Sequence, residues 1–162
     1  MECLAEQERL SGHPIELPRG DVLLIRSGYT KRYMELSGEE EREKAHRYPP
    51  VACGINQDIR MLRFLWDKQV AVVGGDAPAR EVLPPNSEAG FFYHEVLLAG
   101  WGCPIGELLW LEALARECAV HHKWSFFVVS VPLNVPGVLL VRRIWLLFYS
   151  AQGLKHLRQS DR

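Results

Sequence analysis

The chain has 162 residues, 48% of them apolar and 24% charged, with a formal net charge of −1. That describes one ordinary globular domain. The near-neutral balance excludes a global field for nucleic acid or an anionic membrane surface. The four cysteines, Cys3, Cys53, Cys103 and Cys118, are scattered and lack CxxC spacing. Reduced thiols in a cytoplasmic chain are therefore expected, rather than a zinc knuckle, a redox pair or a secreted disulfide framework. The polar, acidic N-terminus has no apolar signal-peptide core, and no run reaches the roughly 18 apolar residues of a spanning helix. Neither a signal peptide nor a membrane partner is expected.

In chain order, residues 1–17 form either a short helix or a loose segment. Pro18-Arg19-Gly20-Asp21 is turn chemistry and launches the apolar run Val22 to Gly28, expected as a buried strand. A dense charge run starts at Ser37. Ser37 with Glu40 three residues on resembles a capping box, and a solvated helix or mobile loop ends at Tyr48-Pro49-Pro50. Asn56 to Gln69 predicts an amphipathic helix capped by Asn56, with Ile59, Leu62, Leu65 and Trp66 as its apolar stripe. Val70 to Val73 is a second strand ending in Gly74-Gly75-Asp76. A helix, a short apolar strand and a Gly-rich end together are an α/β signature, and in such sheets sites gather where strands end. Residues 77–90 read as loop and Phe91 to Ala99 as a short helix. After the Gly100 to Pro104 break, Ile105 to Cys118 reads as a long helix and Lys123 to Val131 as a third strand. From Val138 the tail is apolar around Arg142-Arg143, then basic: it holds five of the 19 Lys and Arg residues against one acid, Asp161. It reads as an interfacial amphipathic segment, a strand or helix, or a poorly packed tail.

The chemistry-bearing stretch is Phe91 to Leu111. His94 and Glu107 stand thirteen residues apart across a Gly-Trp-Gly-Cys-Pro turn. The turn can bring Glu107, in the first turn of the following helix, back towards His94. A histidine and a carboxylate together can hold zinc or manganese, or act as general base and orienter. The pair also has a purely structural reading, since Glu in a first helical turn is favoured by the helix dipole alone. Asp76 is well placed for function, though Asp in such a turn is commonly only a turn residue. Phe92 and Trp101 line an apolar substrate pocket, or belong to a core or dimer contact. His121-His122 reads as a solvated turn without a carboxylate partner.

Five features together resemble the metal-dependent cyclase family, which includes bacterial-type kynurenine formamidases. His94, Leu97, Leu98, Gly102, Ile105, Glu107 and Leu109 resemble that family's second signature. Gly20 to Gly28 resembles the strand that opens its later half, and Gly75-Asp76-Ala77-Pro78 resembles a family Gly-Asp-x-Pro turn. Trp124 to Phe127 and Pro132 to Gly137 resemble its C-terminal strand and loop. The resemblance spans about residues 17–137. It implies an α/β chain, the later half of a swivelling β/β/α fold with a mixed sheet and flanking helices. It implies a divalent zinc or manganese ion with His94 and Glu107 as ligands, His94 also serving as the catalytic residue. Asp76 then stands behind the ligands or positions its loop. The substrate implied is a small-molecule amide or cyclic amide, arylformamidase-like.

The family's N-terminal His-x-Gly-Thr-His-x-Asp-x-Pro-x-His motif has no counterpart here. The expected organisation is therefore a loose segment (1–17), a partial cyclase-like domain (18–137) truncated at its N-terminal side, and a divergent basic tail (138–162). Such a chain is expected to be weakly active or inactive alone. The alternative is a non-catalytic, truncated relative acting in interaction, and either reading expects a homo-oligomer, because missing core layers would leave apolar patches exposed.

Overall fold

A computed structural model describes residues 2–132, Pro136 and Arg143–Phe148. The chain divides into two bodies, residues 16–116 and residues 1–15 with 117–162. Among the described residues no helix is long and apolar enough to cross a membrane.

The larger body is α/β. Strands β1 (Val22–Ile25), β2 (Val72–Gly75) and β3 (Ile105–Gly106) form a parallel sheet in the order β1-β2-β3. Val22 faces Val72, and Val73 faces Ile105. Parallel strands need long crossovers, and the β1–β2 crossover carries α2 (Tyr29–Met34), α3 (Gly38–His46) and α4 (Ile59–Lys68). The capping box at the start of α3 is present: Ser37 Oγ accepts from the Glu40 N–H while the Glu40 carboxylate accepts from the Ser37 N–H. No residue of α3 is buried, so capping rather than packing defines it. The core joins Leu62, Leu65, Val73, Tyr93, Leu97 and Cys103.

Several expectations need correction. The cap of α4 is Asp58, which accepts the Arg60 N–H, and not Asn56. Its buried face carries Leu62 and Leu65, flanked by Met61 and Phe64, whereas Ile59 and Trp66 are 60% and 61% exposed. At about 100° per residue, Ile59 and Trp66 fall together at one edge of the face that Leu62 and Leu65 bury. The second strand runs two residues further than expected, so its glycines belong to it. Gly74 and Gly75 suit this position, since a Cβ on Gly75 would lie 2.8 Å from the Ile25 carbonyl. The helix expected from Ile105 does not start there. Ile105–Gly106 pairs with β2, and α5 spans Glu112–His121. Sheet pairing overrides the helical propensity of the Glu-Leu-Leu run that follows.

In the smaller body, α1 (Glu2–Ser11) shows that the N-terminal segment is helical. β4 (Phe127–Pro132) and β5 (Arg143–Phe148) pair antiparallel, with Val129 opposite Leu146 and Ser130 opposite Trp145. Of the alternatives for the tail, residues 143–148 therefore take the strand. Met1, Leu133 to Val135, Gly137 to Arg142 and residues 149–162 lie outside the described residues.

Candidate functional site

The sheet sends its three carboxyl ends in one direction, as parallel pairing requires. Ser27-Gly28 follows β1, Asp76 follows β2 and Glu107 follows β3. Asp76 is fully buried. Its Oδ1 accepts from the backbone N–H (2.6 Å) and hydroxyl (2.8 Å) of Ser27, and its Oδ2 from the Gly28 N–H (2.7 Å). Three donors satisfy the buried carboxylate and fix the turn into α2.

The loop expected over residues 77–90 has more order than its composition suggests. The Ile55 N–H donates to the Arg80 carbonyl (2.7 Å), and the Val82 N–H donates to the Ile55 carbonyl (3.2 Å). Ala52 and Leu83 form a further bridge. Gly54 makes this possible: a Cβ there would sit 2.1 Å from the Glu81 carbonyl oxygen. This pairing sets Glu81, only 4% exposed, beside His94. His94 stands where the short helix begun at Tyr93 opens into a π-helical segment, Glu95–Gly100. Such wide turns are rare and frequent at functional sites. The start of this helix is anchored by Tyr93, fully buried, whose hydroxyl donates to the Asn56 carbonyl (2.8 Å) and accepts the Asp58 N–H (3.1 Å).

The result is a string of three groups. Glu81 accepts the His94 backbone N–H at 2.9 Å, and its other oxygen lies 2.6 Å from His94 Nδ1. A carboxylate only accepts, so Nδ1 carries the proton and Nε2 faces the other way. Glu107 Oε1 is 3.2 Å from Nε2 and also accepts the Arg80 N–H at 2.7 Å. Burial pushes the Glu107 carboxyl above its usual range, with the field of His94 offsetting part of the rise. The expected meeting of His94 and Glu107 is thus found, but by another route: Glu107 is held at the end of β3 and not in a helical turn. Glu81 was missed. Nothing periodic marks it, and buried glutamate is too rare to expect from sequence.

Beside this string is a pocket of about 70 Å³ lined by residues including Ser27, Cys53, Asp76, Arg80 and Glu107. Arg80 is 5% exposed, and its Nε and Nη2 are enclosed without a hydrogen-bond partner. Burial lowers the proton affinity of its guanidinium, opposed by the fields of Tyr93, Cys103, Glu81 and Glu107. Trp101 and Phe92 do not line this pocket. Trp101 packs on Trp66 with ring centroids 5.1 Å apart, beside a separate surface groove of about 250 Å³. Phe92 is 38% exposed. His121 has a carboxylate after all, Glu117 one turn back at 3.5 Å.

Among the described residues no three His, Cys, Asp or Glu side chains form a group that could hold a metal ion. Two do offer the spacing: donors bonded to one ion at about 2.0–2.2 Å lie roughly 3 Å apart, as Nε2 and Oε1 do. Glu81 on Nδ1 supplies the carboxylate that commonly orients a ligating histidine.

The small parallel sheet flanked by helices has the fold of a cyclase-family structural neighbour. The Cyclase family model matches residues 2–82, half of the chain, and the chain belongs to that family. A solved structure described as the crystal structure of a novel cyclase superposes with a TM-score of 0.68 at 28% identity, covering 90% of this chain and 44% of that one. The chain thus spans less than half the length of that cyclase. No curated protein matches. The matched stretch includes Asp76, Arg80 and Glu81 and ends before His94 and Glu107.

Proposed function

We propose that this chain carries the histidine–glutamate part of a metal-dependent hydrolase site acting on a small-molecule amide or cyclic amide, arylformamidase-like. The observation that carries the reading is the Glu81–His94–Glu107 string at the carboxyl ends of the parallel strands. Zinc or manganese would be held by His94 Nε2 and Glu107 Oε1. Such an ion, when bound, lowers the pKa of water and polarises a carbonyl. The protein's own part is fixed by hydrogen bonding. Glu81 holds the proton on Nδ1, so that Nε2 presents its lone pair. Glu107, with its raised proton affinity, can hold a proton only while no ion is bound, because a ligating carboxylate must be deprotonated. Without an ion, the same Nε2 is placed to take a proton from attacking water as a general base oriented by Glu81. Two protein ligands hold an ion weakly, so turnover by this chain alone is expected to be low.

The test is metal content and hydrolysis of an N-formyl aromatic amine by the purified chain, with zinc or manganese added. Saturable binding of one ion, lost in His94→Ala and Glu107→Gln together with any turnover, supports the reading. Protein that takes up no ion and gains no stability on zinc addition sinks it. A second reading, a non-catalytic interaction protein, draws on the exposed Trp66 and its neighbour Trp101. Metal binding separates the two, and a clean monomer on size-exclusion chromatography counts against the interaction reading.

A further inference from the structure

Gln57 is a buried side chain outside the Glu81–His94–Glu107 string. It is 6% exposed and stands two residues ahead of α4. A buried amide is disfavoured unless its nitrogen and oxygen are paired, and both are paired here. Nε2 donates to the Phe91 carbonyl, and Oε1 accepts the Asn86 N–H at 2.6 Å. One side chain thus ties both ends of the stretch from Asn86 to Phe91, which leads directly into the helix of His94. Its chain neighbours Asn56 and Asp58 hold the Tyr93 hydroxyl through their backbones. A few residues earlier, Ala52 and Ile55 pair with the segment that carries Glu81. Residues 52–58 therefore grip both partners of the Glu81–His94 hydrogen bond.

We infer that Gln57 is a positioning residue, which fixes where the His94 helix starts and so keeps Nδ1 on Glu81. Phe91 lies just ahead of the bond that the Val96 N–H makes to the Phe92 carbonyl as the helix opens. Holding the Phe91 carbonyl fixes that start. A slip of one residue turns each side chain by about 100°. Such a turn carries the imidazole away from the Glu81 oxygen, 2.6 Å from Nδ1. Apolar packing around Tyr93 and Leu97 resists it less sharply, because burial is non-directional. A hydrogen-bonded amide is directional, and it weakens steeply when its geometry is lost. The use of this positioning in turnover rests on the hydrolase reading. The positioning itself needs neither metal nor substrate.

The experiment follows the His94 Nδ1–H proton by NMR in the metal-free chain at neutral pH. The wild-type chain should show this proton protected from exchange with water. Gln57→Leu, close in size but unable to make either bond, should lose the resonance or exchange it about tenfold faster or more. Ser37→Ala is the control: it removes the cap of α3, a helix with no buried residue. Compared at equal stability, set with urea, it should leave the His94 resonance in place. An unchanged Gln57→Leu variant overturns the inference, as does an equal effect in Ser37→Ala or a wild-type chain without a protected Nδ1–H. Should Gln57→Leu fail to fold, exchange in the wild-type chain decides. The Gln57 Nε2 protons and the His94 Nδ1 proton should then open with the same urea dependence, and unequal dependences overturn the inference. Loss of the resonance in Gln57→Leu, beside a wild type that takes up no ion, sinks the hydrolase reading alone. An unchanged resonance beside metal uptake sinks the positioning alone.

Discussion

Asp76 and Glu107 occupy equivalent places. Each directly follows a glycine that ends a strand, and the two strands are neighbours in one parallel sheet. Their surroundings differ. Asp76 is fully buried and receives three hydrogen bonds from the Ser27-Gly28 turn. Glu107 keeps 30% of its side chain exposed, shares one oxygen between Arg80 and His94, and has its proton affinity raised by burial. Standing at a strand end is therefore not enough to make an acid reactive. The number of donors around it separates a carboxylate that holds a turn from one whose proton affinity is raised by burial.

Removing the satisfied acid should have the largest effect. Asp76→Ala leaves two part-buried backbone N–H groups and a hydroxyl without their acceptor, and a loss of about 3–5 kcal/mol in urea unfolding is expected. Asp76→Asn keeps the shape and should lose roughly half of that. An unchanged midpoint would erase the contrast between the two acids. Next is the support for the reactive side. In Gly54→Ala the new methyl group meets backbone at Glu81, which has no free side chain to move aside. A loss of roughly 1–3 kcal/mol is expected, with the His94 imidazole resonances displaced along with Glu81.

A smaller effect concerns the turn beyond Glu107. Leu108 is exposed and adopts a φ of 53°, a left-handed conformation uncommon for a leucine. Its N–H donates to the Ala77 carbonyl, and that of Leu109 to the Gly75 carbonyl, so one acid turn hangs on the other. Leu108→Val should be less stable than Leu108→Gly by about 1 kcal/mol in thermal unfolding, because a β-branched residue tolerates positive φ worst. The smallest effect is Glu107→Gln, and it is best read against pH. The folded-state pKa of Glu107 lies above its ordinary value of 4.5. The group therefore contributes stability below about that pH, and the contribution is lost as pH rises through the higher folded value. Wild type minus variant should fall from acid towards neutral pH. A difference that grows instead would make Glu107 a second satisfied acid like Asp76.

Much of this frame was legible in the residues. The apolar runs at Val22 and Val70 and the box from Ser37 to Glu40 follow from local chemistry; the family resemblance was read mainly around His94 and Glu107, whereas the family model matches residues 2–82. What escaped depends on distant partners. Ile105–Gly106 is too short to announce a strand and exists because Val73 and Gly74 pair with it. Glu81 and Arg80 sit between prolines in a stretch with no period, and only pairing with Ala52 to Ile55 draws them inward. Of the expected stripe on α4, Leu62 and Leu65 are buried, whereas Ile59 and Trp66 at its edge stay exposed.

The wide helical segment from Glu95 to Gly100 has a further consequence, for how the gene can change. Its Trp101 N–H reaches back five residues to the Val96 carbonyl, and so the segment contains a residue more than an ordinary helix would use over the same span. Deleting that residue would let the turn tighten, while Pro104 and Ile105 stayed fixed by the sheet. Everything upstream would then rotate by about 100°, swinging the imidazole of His94 away from both glutamates. A single-codon deletion within this segment should therefore be far more damaging than most substitutions there, because it changes the direction His94 faces without removing any of the residues that hold it.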